Sequence, residues 1–316
     1  EFLEKYLKVN HYDVLVTTGP PHSLHLIGLN LKKKLPNLKW IADFRDPWTE
    51  ISYYKHLKLT KIADKKHRKL ESEVFKNADI TLATSYTDAE NFRKKGANAF
   101  CITNGFDVDA STTLSMTEEN SKTLPLSNST TKFTLSYIGV LEQLRNPDIL
   151  WETLNDLVQE NADFKNDFEL KFVGKLDDKI LQKIESSPLK NNLTNLGYQT
   201  HDVALKHMQD SSVLLITNFP QESSKGIIPG KIFEYLATGK TILSFGPKDA
   251  DVEKILNETK AGKHFGYDEK ENLKKFILES YQNWKSGMLN QNAENIEQFS
   301  RKKLTQKLVD LMNKWY

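Results

Sequence analysis

Four residues in the second half of the chain combine phosphate-binding and hydroxyl-binding groups: Pro229, Gly230, Lys231 and Glu234. Proline fits the first turn of a helix, and the unpaired N–H groups of a helix start attract phosphate, as an ammonium does. Glu234 shares a helix face with Lys231 and could accept hydrogen bonds from ribose hydroxyls. These residues therefore suit a nucleoside diphosphate, although a plain surface ion pair between Lys231 and Glu234 explains the same spacing.

Two loops in the first half carry further candidates, because each follows a predicted strand at the edge where open α/β sheets bind ligands. The first loop contains His22, which lies either at a reacting group or only beside a helix cap at Ser23. No cysteine or carboxylate cluster accompanies His22 and His25 in the sequence, so no metal site is predicted.

The second loop follows a strand that ends near Asp43 and contains Arg45 and Asp46. A guanidinium matches the geometry of a phosphate or a carboxylate, so Arg45 could hold either group through two hydrogen bonds. The alternative is structural: an ion pair of Arg45 with Asp43 or with Asp46 would only fix the loop.

Apolar runs bounded by turn residues alternate with amphipathic stretches, which is the pattern of βαβ units in a parallel sheet. We predict strands at 13–18, 40–44, 80–84, 99–103, 133–138, 169–173, 193–196, 213–217 and 241–245. Helices are predicted at 23–34, 59–76 and 87–95, from Pro229 to a stop at Gly239, and from 290 to 315. No G-x-G-x-x-G run follows a strand, which argues against a dinucleotide dehydrogenase.

The segment 227–247, IIPGKIFEYLATGKTILSFGP, resembles the donor-binding helix of glycosyltransferase family 4 and its relatives, in a branch with a Pro-x-Lys donor loop. Two earlier segments resemble the same family in the same order. One is Tyr137-Ile-Gly139 with Arg145 six positions after the glycine, and the other is Leu196-Gly197-Tyr198. The resemblance covers much of the C-terminal half of the chain.

This resemblance implies an α/β protein of the GT-B fold, with two Rossmann-like domains that face a cleft. The acceptor-side domain would occupy 1–110, a polar linker 111–132, the nucleotide-sugar-binding domain 133–289, and a helix at 290–316 would cross back to the first domain. The chain opens at Glu1 without a methionine, directly before a helix-like segment. We therefore expect the N-terminal domain to be truncated.

The resemblance also implies transfer of a sugar from a nucleotide-diphosphate donor to a hydroxyl of a glycan or a lipid-linked saccharide, with retention of configuration, no metal and no other cofactor. The residues that it assigns to the nucleotide sugar are Gly139, Arg145, Tyr198, Gly230, Lys231 and Glu234. The residues at the reacting centre would be His22, Arg45 and Asp46, with Arg45 in the place where relatives carry a histidine.

Two alternatives stay open at this point. A nucleotide-sugar epimerase or hydrolase of the same fold would use the same donor residues. A non-catalytic nucleotide-sugar-binding module would explain why Val140 replaces the family's usual arginine and Gly226 the first of its paired glutamates.

Composition sets limits on partners and compartment. A net charge of +2 in 316 residues gives no case for nucleic acid binding, and a single cysteine excludes an internal disulfide and fits the cytoplasm. No run approaches the roughly 18 apolar residues of a membrane span. The lysine-rich run from Lys55 to Lys69 is either a solvated helix face or a surface for anionic lipid headgroups, which allows peripheral membrane contact.

Overall fold

The computed structural model describes residues 2–51, 54–107, 132–290 and 293–315. The chain divides into two compact units. We call Glu1–Asn104 with Leu304–Tyr316 the four-stranded unit, and Gly105–Lys303 the six-stranded unit. All but the last residue of the linker predicted at 111–132 lies outside the described residues.

The four-stranded unit is a parallel sheet in the order β1-β2-β3-β4. Its strands are Val14–Gly19, Lys39–Phe44, Ile80–Ala83 and Ala99–Cys101, which confirms the four strands predicted there. The connecting helices α1 to α4 are Phe2–Val9, Leu24–Lys34, Lys61–Asn77 and Tyr86–Lys94. Two helix starts are fixed by hydroxyl caps, because Thr60 accepts from the Ala63 N–H and Ser85 from the Asp88 N–H.

The six-stranded unit is also parallel, in the order β10-β9-β8-β5-β6-β7. Its strands β5 to β10 are Phe133–Ile138, Phe168–Val173, Leu193–Asn195, Val213–Thr217, Thr241–Phe245 and Gly262–Phe265. Helices α5 to α11 are Asp148–Glu160, Ala162–Asp167, Asp178–Glu185, His201–Gln209, Lys231–Ala237, Asp251–Thr259 and Lys270–Lys285. The sequence analysis missed β10, since this edge strand has four residues and two of them, Lys263 and His264, are polar.

The C-terminal helix is shorter than predicted. The helix α12 spans Arg301–Met312 rather than beginning at 290, and a 3-10 turn at Ile296–Phe299 precedes it. Asn295 has a left-handed backbone, with φ of 55°, which an α-helix cannot contain. In the four-stranded unit, Leu311 of α12 packs on the sheet beside Ile41 and Ile80. Among the described residues, no helix is long and apolar enough to cross a membrane.

Two glycines allow a close approach of the chain where β5 and β6 end. Gly139 and Gly174 have φ angles of 122° and 125°, which L side chains rarely adopt. A Cβ on Gly174 would lie 2.1 Å from the Gly139 carbonyl oxygen. The Gly139 N–H donates to the Val173 carbonyl at 2.7 Å, so the loop after β5 is held against the end of β6.

We expect Gly174→Ala to destabilise the protein by about 3 kcal/mol, since a backbone clash is added to the conformational strain. Gly239→Ala is the control, because Gly239 also has a positive φ, 66°, but a Cβ there meets nothing within 4 Å. That change should cost about 1 kcal/mol. Urea unfolding measures both, and equal losses would show that the approach of Gly174 to Gly139 is not a constraint.

Candidate functional site

The strand order of the six-stranded unit places a crevice between β5 and β8. The chain runs from β5 to β6 and β7 on one side, and from β8 to β9 and β10 on the other. The loops that leave β5 and β8 therefore diverge at the carboxyl edge of the sheet, which is where open α/β sheets bind ligands. Gly139 and Arg145 lie in the first of these loops, and the second leads to Lys231 at the start of α9.

Lys231 is anchored to the end of β5. Its Nζ donates to the Ile138 carbonyl at 2.7 Å and lies 4.1 Å from the centroid of the Tyr137 ring. A Cβ on Gly139 would lie 2.9 Å from Nζ, so a larger residue there would displace the end of the Lys231 side chain. Burial, assisted by the nearby Arg145 cation, lowers the pKa of Lys231 to about 8. The carbonyl and the ring engage two sides of the ammonium, so one of its three N–H donors has no described partner.

Arg145 lies beside the same loop. Its Cζ is 5.4 Å from the centroid of the Phe219 ring, which follows β8. Its Nη2 donates to the Val140 carbonyl at 3.2 Å and to the Glu142 carboxylate at 3.1 Å. The Nε atom is buried and has no hydrogen-bond partner in the described structure. Part of the hydrogen-bonding capacity of the guanidinium therefore remains unused.

Glu234 lies one turn into α9 and is half-buried. The plain ion pair with Lys231 is not formed, since the ammonium is engaged by Ile138 and Tyr137 instead. Within the described part of the chain, no hydrogen bond or ion pair engages the Glu234 carboxylate. This carboxylate can accept hydrogen bonds from a bound polar molecule.

The loop between β8 and α9 is held by side chains that the sequence analysis did not single out. Asn218 is buried, and its amide donates to the Ile227 carbonyl at 2.8 Å and to the Ser224 carbonyl at 3.4 Å. Its Oδ1 accepts from the Phe219 N–H at 3.0 Å, and its own carbonyl accepts from the Tyr267 hydroxyl. The available signal was an asparagine directly after a predicted strand, because an amide that is buried there needs partners in the following loop.

Gly230 and Tyr198 are the remaining candidates for nucleotide binding. Gly230 is the exposed residue that precedes α9, and the helix has only seven residues, so any phosphate attraction rests mainly on the two cations. Tyr198 is 88% exposed in the loop that follows β7. No described contact joins its ring to Lys231 or Arg145, so the structure does not bring it into their cluster.

The three candidates of the four-stranded unit share the carboxyl edge of its sheet. The Arg45 N–H donates to the Gly19 carbonyl at 3.1 Å, which joins the loops after β1 and β2. The Arg45 and Asp46 side chains are exposed. In the described residues neither alternative ion pair of Arg45 is present, since Asp43 accepts instead from the Thr18 hydroxyl at 2.8 Å. Arg45 and Asp46 are therefore available to a ligand at this edge.

His22 packs against aromatic rings. Its imidazole stacks on Phe44 and Trp48, each with centroids 5.6 Å away. Burial lowers the pKa of His22, and the nearby Asp46 carboxylate opposes that effect. Ser23 directly precedes α2, at the position of a helix cap. Its side chain makes no capping hydrogen bond.

His25, which the sequence analysis set beside His22, is a core residue. It is fully buried, and its Nδ1 lies 2.9 Å from the Thr17 hydroxyl, which also accepts from the Trp40 indole N–H. Burial lowers the pKa of His25 to about 3, so the ring is neutral at physiological pH. Across the described ranges, no group of three or more His, Cys, Asp and Glu side chains is arranged to hold a metal.

Comparison with known proteins gives a likeness in structure only. No protein-family model and no curated protein sequence matches the chain. A structure of HepE from Anabaena in complex with UDP matches with a TM-score of 0.67 and 15% identity, over 99% of this chain and 81% of that chain. HepE has also been solved with UDP-glucose.

Two other solved structures are similar. Sucrose-phosphate synthase from Thermosynechococcus elongatus matches with a TM-score of 0.62 and 15% identity, over 99% of this chain and 76% of that chain. TarM of S. aureus matches with a TM-score of 0.61 and 17% identity, over 98% of this chain and 57% of that chain. With the two parallel-sheet units described above, these likenesses confirm the predicted α/β fold class, GT-B.

Proposed function

We propose that this chain is a glycosyltransferase that moves a sugar from a nucleotide-diphosphate donor to a hydroxyl acceptor. The observation that carries this proposal is the grouping at the crevice of the six-stranded unit. Lys231 and Arg145 present two cations beside Gly139, and Glu234 offers an unpaired carboxylate one helical turn from Lys231. A diphosphate next to a ribose needs this combination of charge and hydrogen-bond acceptor.

The proposed roles follow from the chemistry of the leaving group. Transfer develops negative charge on the departing nucleoside diphosphate, and positioned cations stabilise such charge. Lys231 and Arg145 would supply them without a metal, and Glu234 would accept from the ribose hydroxyls. We also propose that the reaction retains configuration. The chain would belong to a branch of glycosyltransferase family 4 with a Pro-x-Lys donor loop. The support for UDP as the nucleotide is that the similar HepE binds UDP and UDP-glucose.

The acceptor residues are proposed from the four-stranded unit. His22, Arg45 and Asp46 lie at one sheet edge, and two of them have exposed charged side chains. We propose that they contact the acceptor, a glycan or a lipid-linked saccharide, near its reacting hydroxyl. The protein would act in the cytoplasm at the surface of a membrane.

The membrane contact rests on the first turns of α3. Residues 54–76 carry eight cationic and three anionic side chains, a net charge of +5, whereas the whole chain has +2. Lys61, Lys65 and Lys69 are exposed at a helical spacing of four, and Ile62 beside them is 84% exposed. An exposed apolar side chain within a lysine stripe fits an anionic lipid surface.

Binding of one nucleoside diphosphate is the first expected result. We expect thermal shift with UDP, GDP, ADP, CDP and dTDP to select one, with UDP favoured, since a ligand at 100 times its Kd adds about 2.7 kcal/mol. Lys231→Ala and Glu234→Ala should each weaken binding about tenfold or more, because each removes a charge-assisted hydrogen bond.

The controls are Lys274→Ala and Glu160→Ala, which break an ion pair of 2.6 Å on the helices α11 and α5. They should leave nucleotide binding unchanged. Failure of all five nucleotides to bind would contradict the glycosyltransferase and the non-catalytic nucleotide-sugar-binding module alike. Binding followed by release of free sugar or of an altered sugar nucleotide, without an acceptor, would point to the hydrolase or epimerase.

Nucleotide affinity should fall as pH rises, since only the ammonium form of Lys231 attracts diphosphate. Its pKa of about 8 lies in a pH range where binding can be measured, so the free protein loses this charge between pH 7 and pH 9. We expect UDP to bind about tenfold more weakly at pH 9 than at pH 7, measured by calorimetry. Lys231→Met should abolish this dependence, and a flat profile in the unmodified protein would contradict it.

Vesicle binding tests the lysine stripe. We expect the chain to sediment with phosphatidylglycerol vesicles and not with phosphatidylcholine vesicles. The triple change Lys61→Gln, Lys65→Gln, Lys69→Gln should weaken that binding about a hundredfold, since each lysine contributes about 1 kcal/mol at an anionic surface. The control triple alters the exposed lysines of α12, Lys302, Lys303 and Lys307. Equal losses from both triples would contradict a specific surface.

A further inference from the structure

We propose that Glu142 sets the affinity of the nucleotide site by competing with phosphate for Arg145. In the free protein the Glu142 carboxylate accepts a hydrogen bond from the Arg145 guanidinium. The carboxylate must leave before a phosphate oxygen can accept from the same N–H group. This inference rests on the proposed function, because it assigns a further residue to that site.

The competition follows from the shared geometry of the two anions. Arg145 Nη2 donates to the Glu142 Oε2 at 3.1 Å and to the Val140 carbonyl at 3.2 Å. Carboxylate and phosphate oxygens both match the planar fork of a guanidinium, so they compete for the same N–H groups. The Nε of Arg145 is buried and unpartnered in the described structure, so the competition concerns the Nη2 donor.

The two partners of this ion pair differ in how firmly they are held. The Arg145 side chain is 22% exposed and rests against the Phe219 ring and the Val140 carbonyl, whereas the Glu142 side chain is 57% exposed. The pair spans a single 3-10 turn, Gln143–Arg145, which Glu142 precedes. Glu142 can therefore rotate into solvent while the guanidinium stays in place.

The position of the pair explains why it matters for ligand binding. Arg145 lies at the crevice between β5 and β8 and lowers the pKa of Lys231, so its charge reaches the ammonium. An internal carboxylate reduces the fraction of molecules whose site is free to bind. The apparent Kd rises as the inverse of that fraction. Because exposed ion pairs are weak, this reduction should be modest, about two- to fivefold.

The test is a double-mutant cycle read by calorimetry with UDP and with inorganic pyrophosphate. We expect Glu142→Gln to tighten both about two- to fivefold and to leave the neutral nucleoside uridine unchanged. In the Arg145→Gln background, Glu142→Gln should have no effect. A gain in affinity cannot result from poor folding, so this readout separates competition from a structural role.

Glu160→Gln is the matched control, because Glu160 is also 57% exposed and pairs with a cation, Lys274. It should not tighten binding, which excludes a general effect of net charge. If Glu142→Gln weakens or leaves unchanged the affinity for UDP while Arg145→Gln reduces it, the competition is refuted and the nucleotide site stands. A gain that persists without Arg145 also refutes it. If the unmodified chain binds none of the five nucleoside diphosphates and no pyrophosphate, both proposals fall.

Discussion

The six-stranded unit depends on one largely buried ammonium, that of Lys231. Lys231 begins α9, yet its Nζ reaches the last carbonyl of β5 at Ile138 and the face of Tyr137. A Cβ at Gly139 would displace the ammonium from this contact, and a Cβ at Gly174 would clash with the Gly139 backbone. A helix start, two strand ends and a lysine are thereby fixed together, so the loop that carries Arg145 has little freedom to move.

The charges around this ammonium are arranged so that none is fully neutralised. Lys231 donates to a neutral carbonyl rather than to Glu234, and Arg145 pairs with the solvent-exposed carboxylate of Glu142. Burying a cation without a counter-ion is costly, and the lowered pKa of Lys231 reflects that cost. An anionic ligand would relieve it. The four-stranded unit follows a different principle, since stacked rings hold His22 while the charged Arg45 and Asp46 side chains are exposed.

Much of the fold could be predicted because apolar runs mark buried parallel strands, as at Phe133–Ile138 and Val213–Thr217, where the predicted and observed bounds agree. The edge strand β10 lacks such a run, and the left-handed Asn295 breaks a helix that periodicity extended to 290. In the site, Lys231 and Gly139 were predicted and meet in space, whereas Phe219 and Asn218 were missed. The role of Phe219 arises from its tertiary contact with Arg145, which no local pattern contains, whereas Asn218 was marked only by its place directly after a predicted strand.

The buried amide of Asn218 has a consequence for the lifetime of the protein. Its Nδ2 donors face the carbonyl oxygens of Ile227 and Ser224, while its Oδ1 receives the Phe219 N–H. Deamidation to aspartate would replace this one nitrogen by a buried oxygen that both carbonyl oxygens repel. The loop before α9 would lose its internal support with no change in the size of any residue. Chemical ageing of a single amide would thus remove two of the hydrogen bonds that support the segment before Lys231.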